Sequence, residues 1–147
     1  MSSDLVDGLA ALWTRLPTGD DQDEAAFRAL YTDPVTLNGT EAPIGDLVER
    51  YRMLHTGFAD IRIEVVDRTE LPGTLAVVLR QRGRHVGPLP TALGPLAPTG
   101  RTFDVLGIDV LTISDGRISR IWVLADELGR LAQLGAVTLA PPAAPDA

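Results

Sequence analysis

The stretch Val105–Asp126, VLGIDVLTISDGRISRIWVLAD, decides how the rest of the chain must be arranged. Asp115 and Gly116 stand between two β-prone runs and supply the positive φ values of a two-residue type I′ turn, so the stretch reads as a hairpin. A regular ladder makes Ile113 face Ile118, Leu111 face Arg120, Val110 face Ile121 and Asp109 face Trp122. One sheet face then carries Gly107, Asp109, Leu111, Arg120, Trp122 and Leu124. The other is uniformly apolar, with Leu106, Ile108, Val110, Ile121, Val123 and Ala125. Such a hairpin must be covered, and the cover has to come from upstream.

Working upstream, RTFDVLGIDVLTI carries the first strand back to Arg101, TLAVVLRQRGRHV (74–86) is a long strand, and IRIEVVD (61–67) alternates with a period of two. Before residue 60 the period is helical. From Ile44, Leu47, Val48, Tyr51, Leu54, His55 and Phe58 share one helix face, which carries Tyr51 and His55 inward. DPVTLNG (33–39) is a short strand closed by Asn38-Gly39, with Pro34 at its start or on an edge. DEAAFRALY is a short helix whose acidic first turn suits the positive end of the helix dipole. Leu5, Leu9, Leu12, Trp13 and Leu16 mark an amphipathic helix over residues 4–17 with Trp13 on its buried face. DELGRLAQLG closes the domain as a last short helix. The order α–α–β–α–β–β–β–β–α predicts an α+β fold, a curved antiparallel sheet packed against three N-terminal helices. A sheet wrapped around a helix leaves a cone-shaped hollow suited to a ligand. The chain of 147 residues fits one domain over residues 1–136, followed by a loose Pro/Ala-rich tail at 137–147.

Composition narrows the chemistry. Twenty acidic against 13 basic residues leave a net charge of −7, which disfavours nucleic acid and anionic membrane surfaces. The basic residues are all Arg; without Lys there is no Schiff-base chemistry and no P-loop. Without Cys there are no thiol nucleophiles, disulfides or thiolate metal sites. The N-terminus lacks the pattern of a secretion signal and no apolar run spans a bilayer, so a soluble cytoplasmic protein is expected. No GxSxG and no glycine-rich phosphate loop occurs, and two distant His without HExxH argue against a catalytic zinc. What remains is non-covalent acid–base chemistry in an apolar cavity, or binding alone.

Asp109 has two readings. Gly107 leaves room beside it for a ligand and burial raises its pKa into the range useful for proton transfer, or it pairs with Arg120 on a solvated or dimer-forming face. Asp126 stands where a strand meets a helix, the position of an N-cap and also of a pocket rim. His85 shares parity with Leu75, Val77, Leu79, Gln81 and Gly83, so it is either exposed at a strand end or a proton carrier at a pocket mouth. His55 on an apolar helix face reads as a hydrogen-bonded core histidine. Arg80, Arg82 and Arg84 on the opposite strand face read as a solvated row, a protected edge or, more sharply, an anion-binding row. The near-duplicated GPLPTALGPLAPTG (87–100) is a semi-rigid lid or a long β-connection.

RGRHVGPL, PTGRTFDVLGIDVLTISDGRISRIW and DELGRLAQLG, with the helix–helix–strand–helix start, resemble the SnoaL-like polyketide cyclases of the NTF2-like superfamily over most of residues 1–136. The resemblance implies a cone-shaped NTF2-like α+β barrel, a homodimer, and cofactor-free acid–base catalysis of an intramolecular aldol closure. It matches the catalytic aspartate to Asp126 and the histidine of the xGxHxG segment to His85. Relatives read Glu-His-Trp where Arg120-Ile121-Trp122 stands, which implies a more apolar pocket. The Arg-x-Asp motif of limonene-type epoxide hydrolases is absent at RGRHV.

The leading expectation is thus a cyclase or isomerase of secondary metabolism acting on an apolar polyketide- or terpenoid-like molecule, with Asp126 moving the proton and His85 polarising a carbonyl. Trp13, Tyr31, Asp33, Asn38, Tyr51, His55 and Trp122 are the candidate substrate contacts. A second reading is epoxide opening or pyran formation by paired acids drawn from Asp33, Asp104 and Asp109. A third is a non-catalytic binding or scaffold dimer in which Asp126 only caps its helix.

Overall fold

The computed structural model, which describes residues 2–146, has nine elements in the order that the periodicity predicts and three short strands, at Thr40–Ala42, Leu89–Thr91 and Gly94–Leu96, that it does not, twelve in all. They are α1 (Ser2–Thr14), α2 (Asp21–Leu30), β1 (Tyr31–Leu37), β2 (Thr40–Ala42), α3 (Ile44–Gly57), β3 (Phe58–Leu71), β4 (Thr74–His85), β5 (Leu89–Thr91), β6 (Gly94–Leu96), β7 (Thr102–Ser114), β8 (Arg117–Ala125) and α4 (Glu127–Gln133). Residues 137–146 follow without helix or strand. Residues 1 and 147, the outer ends of the expected domain and tail, lie outside the described residues. The α+β class is as the periodicity predicts: a curved, unclosed sheet covered by helices on one face. Among the described residues no helix is long and apolar enough to cross a membrane.

The strand order is β2-β1-β8-β7-β4-β3, with β5 and β6 forming a separate small hairpin inside the Pro/Gly segment. The sheet is mixed rather than wholly antiparallel, because β1 pairs parallel to β8. β3 runs opposite to β1, and three further reversals leave β8 pointing along it. Pro34 is likewise not on an edge, since β1 has partners on both sides. It occupies the interval between Tyr31 and Thr36 where the β1–β8 register shifts, and β2 pairs only from Val35, so its missing N–H interrupts no ladder.

The β7–β8 hairpin departs from the expected register. Ile113 pairs with Ile118, but Thr112 pairs with Arg120, leaving Ser119 as a one-residue bulge. Beyond it every pair moves by one: Leu111 faces Ile121, Val110 faces Trp122 and Asp109 faces Val123. Because strand side chains alternate, this single residue exchanges the faces of β8. Ile121 joins Asp109 inside, while Trp122 and Leu124 turn outward beside Leu106 and Ile108. These four are 50%, 78%, 53% and 51% exposed. The β7 half of the face that reads as a uniform core, Leu106 and Ile108, is therefore the outer one, while Ile121 and Val123 of its β8 half are inside.

The core lies between the inner sheet face and the N-terminal helices, with Val6, Phe27, Tyr31, Leu47, Tyr51, Val77 and Leu111 at its centre. A smaller cluster of Phe58, Phe103, Val105 and Leu134 closes the other end under α4. Gln133 ties α4 to β7 by accepting from the Asp104 N–H (2.6 Å) and donating to its carbonyl (3.1 Å). Gly87 approaches the backbone so closely that a Cβ there would lie 2.1 Å from the Thr56 carbonyl oxygen.

Candidate functional site

Antiparallel pairing aligns Val77 with Asp109, Leu79 with Gly107 and Gln81 with Val105, all on the inner face of β4 and β7. With α1 and α3 laid over this face, a cavity of about 220 Å³ remains. Leu9, Leu47, Leu54, Ile63, Phe103, Ile121 and Val123 make most of its wall. The polar groups that reach it are Trp13, Tyr31, Arg50, Gln81 and Asp109. Asp109 is the one carboxylic acid among the described residues that line it.

Asp109 is 9% exposed and its Oδ1 has no hydrogen-bond partner. Burial without compensation disfavours the charged form and pushes the carboxyl up to about 6. Tyr31 is buried, and its hydroxyl accepts from Trp13 Nε1 at 2.8 Å, which leaves its own proton free to donate. Burial, with a smaller contribution from the Asp109 charge, holds the Tyr31 phenol well above its ordinary range despite the opposing Trp13 bond. Tyr31 therefore stays a donor at any physiological pH. The Gln81 side chain makes no hydrogen bond with any described residue, and a Cβ on Gly107 would lie 3.2 Å from its Nε2. The missing side chain at Gly107 thus lets the Gln81 amide lie across β7, two residues from Asp109.

The other candidates are held elsewhere. Asp126 caps α4, its side chain accepting from the Gly129 N–H at 2.8 Å, and it does not line the cavity. His85 is fully buried rather than exposed at its strand end. Its Nδ1 accepts from the Thr99 N–H at 3.1 Å, its ring packs 5.6 Å from Phe58, and it too is absent from the cavity wall. Asp104 lies on the outer face, bound by Arg80 (2.5 Å) and Arg82 (3.5 Å). Asp33 binds Arg28 and accepts from the Ile44 N–H at the start of α3. The three acids of the paired-acid reading are therefore not brought together.

Asn38 works as a backbone clamp, donating to the Val123 carbonyl (3.2 Å) and accepting from its N–H (2.8 Å). Tyr51 donates to the Arg15 carbonyl within the core, and His55 Nε2 meets the Trp13 carbonyl at 2.8 Å. Trp122 is on the outer face, with its ring against Gly39. Of the candidate contacts, Trp13 and Tyr31 line the cavity. Sequence reasoning passed over Gln81 and Arg50. The available signals were an amide on the apolar parity of β4 and a cation spaced i+3 from Leu47 and i−4 from Leu54.

A wider groove of about 430 Å³ between the β3–β4 and β7–β8 turns is lined by Leu71, Gly73, Ile113 and Gly116, with Asp115 and Glu70 at its edge. Among the described residues no group of His, Cys, Asp and Glu is placed to hold a metal ion.

The family model described as SnoaL-like polyketide cyclase matches residues 4–134. No curated protein matches the chain. Among solved structures it is similar to TsrD from Streptomyces laurentii, at 23% identity and a TM-score of 0.78, covering 92% of this chain and 96% of that one. It is similar to IdmH, a candidate polyketide cyclase from Streptomyces antibioticus, at 23% identity and a TM-score of 0.72, covering 90% and 97%. A protein of ketosteroid isomerase-like fold from Catenulispora acidiphila follows at 15% identity and a TM-score of 0.66, covering 90% and 92%. At these identities the likeness is one of fold.

Proposed function

Because the chain belongs to the SnoaL-like polyketide cyclase family, we propose that it catalyses cofactor-free acid–base ring closure of a ketone-bearing, polyketide-like molecule, with Asp109 as the group that moves the proton. One observation carries this reading: Asp109, which lines the apolar cavity, is a buried carboxyl with an unpartnered oxygen, and burial lifts it to about 6. A base with a pKa of about 6 is mostly ionised at pH 7 yet still returns a proton readily. In the proposed step the Asp109 carboxylate removes a proton from the carbon beside a ketone. The enolate carbon attacks a second carbonyl, one C–C bond forms, and the resulting alkoxide takes the proton back. Tyr31 and Gln81 supply donors for the carbonyl oxygen as negative charge grows on it. The apolar wall keeps water from the enolate.

The role that the resemblance implies for Asp126 passes to Asp109 here because Asp126 is outside the cavity. The test is α-proton exchange, read by NMR in D₂O on a panel of aromatic 1,3-diketones. Wild type should exchange their α-protons with a rate that rises through an apparent pKa near 6, and Asp109→Asn should lose about 10²–10⁴-fold of that rate. Full exchange by Asp109→Asn, with loss in Asp126→Asn, would return the role to Asp126. If wild type binds the panel without exchange, the protein is a binding module.

A further inference from the structure

The Arg50 side chain has no part in that proton transfer and no partner among the described residues. It projects from α3 at helical spacing between Leu47 and Leu54, and all three line the cavity. Arg15, Arg28, Arg52, Arg80, Arg82, Arg84 and Arg130 each pair with a carboxylate. The Arg50 side chain makes no ion pair and no hydrogen bond with any described residue, although Asp46 and Glu49 share its helix. It is exposed, so it stands at the rim and not in the depth where Asp109 is buried.

The dimensions of the cavity give this cation a use. A volume of about 220 Å³ falls short of the roughly 300 Å³ at the lower end of sites that enclose a drug-sized ligand. A substrate larger than the cavity therefore extends out through the mouth, past Arg50. A guanidinium presents a planar fork of donors that matches a carboxylate in two parallel bonds. We infer that the substrate is a carboxylic acid, its rings and reacting ketone inside the cavity and its carboxylate held at the rim by Arg50. The inference rests on the cavity being the reaction site.

The two tryptophans separate this question from that reading. Trp13 lines the cavity and Trp122 lies on the outer face, so in a Trp122→Phe background Trp13 emission reports occupancy. Anthraquinone-2-carboxylate and its methyl ester are titrated against this protein with and without Arg50→Gln. The expected result is quenching by both probes, with the acid about fivefold tighter than the ester, as suits an ion pair at a solvated rim. Arg50→Gln should abolish that preference and leave the ester's affinity unchanged. High salt should shrink it in the same way. Equal affinity for acid and ester, or a preference that survives Arg50→Gln, overturns the inference and leaves the cavity reading standing. No quenching by either probe overturns both.

Discussion

Asp109 shows how one buried carboxyl links stability to function. Its folded pKa of about 6 lies above the ~3.9 of an unfolded aspartate, so the folded state holds the proton more tightly. Stability from this group is present at low pH and falls as pH rises from about 4 through 6, with the full penalty of about 3 kcal/mol remaining above that window. Asp23 acts in the opposite sense. Burial raises its carboxyl, but the Thr18 and Gly19 N–H groups, the Thr18 hydroxyl and Arg52 outweigh that and hold it far below the usual range. Its contribution is therefore lost on acidification, and only a difference between variants isolates Asp109. Urea unfolding of Asp109→Asn should give a protein more stable than wild type at pH 7.5 and close to it at pH 4. A variant less stable than wild type at pH 7.5 would contradict uncompensated burial at this position.

Among the elements, α4 and the β7–β8 hairpin show two ways in which local chemistry sets a site. α4 starts at Asp126 because its carboxylate satisfies an N–H that the first turn leaves unpaired. Gly129 is fitted to that cap, since a Cβ there would lie 2.2 Å from Asp126 Oδ2. Asp126→Ala should cost about 1 kcal/mol in thermal or urea unfolding, while Asp126→Asn should cost little because Asn caps equally well. Both variants should keep wild-type α-proton exchange, and loss of exchange in a stable Asp126→Asn would show chemistry at the cap. In the hairpin, the bulge at Ser119 decides which residues accompany Asp109. Without it Trp122 would enter the cavity and Val123 would leave it.

Over the whole molecule the outer sheet face divides in two. Across β3, β4 and the start of β7 it is a charged lattice, in which Arg80 and Arg82 bind Asp104 and Arg84 binds Asp60. Across the rest of β7 and β8 it is apolar, with Leu106, Ile108, Trp122 and Leu124 at least half exposed among the described residues. Contiguous exposed apolar patches are commonly association surfaces, and a two-fold axis would let one such patch cover its own copy. Sedimentation velocity should accordingly return twice the 15.7 kDa chain mass, and Ile108→Arg combined with Leu124→Arg should return one chain mass with the far-UV spectrum unchanged. A wild-type monomer at micromolar concentration would rule out the dimer.

The helices, the long strands and the class of fold were legible in the residues alone, because periodicity, caps and turn residues act over a few positions, whereas the short strands β2, β5 and β6 and the parallel β1–β8 pairing were not. Leu5, Leu9 and Leu12 dictate a helix face, Asp115-Gly116 a turn, and alternation along residues 74–86 a strand, whatever surrounds them. Part of the cavity was legible for the same reason: Asp109 beside Gly107 and Trp13 on a buried helix face are local patterns. The tertiary structure alone decided which carboxyl faces the hollow. A one-residue bulge carries no signature in composition, yet it exchanges every side chain beyond it between core and solvent. Gln81 and Arg50 became visible only once β4 and α3 were brought with Asp109 around one cavity, and the arginine that engages Asp104 on the outer face comes from a strand more than 20 positions away. Burial and ion pairing are sums over neighbours distant in the chain, which is why no local reading separates a proton carrier from a cap or a surface ion pair.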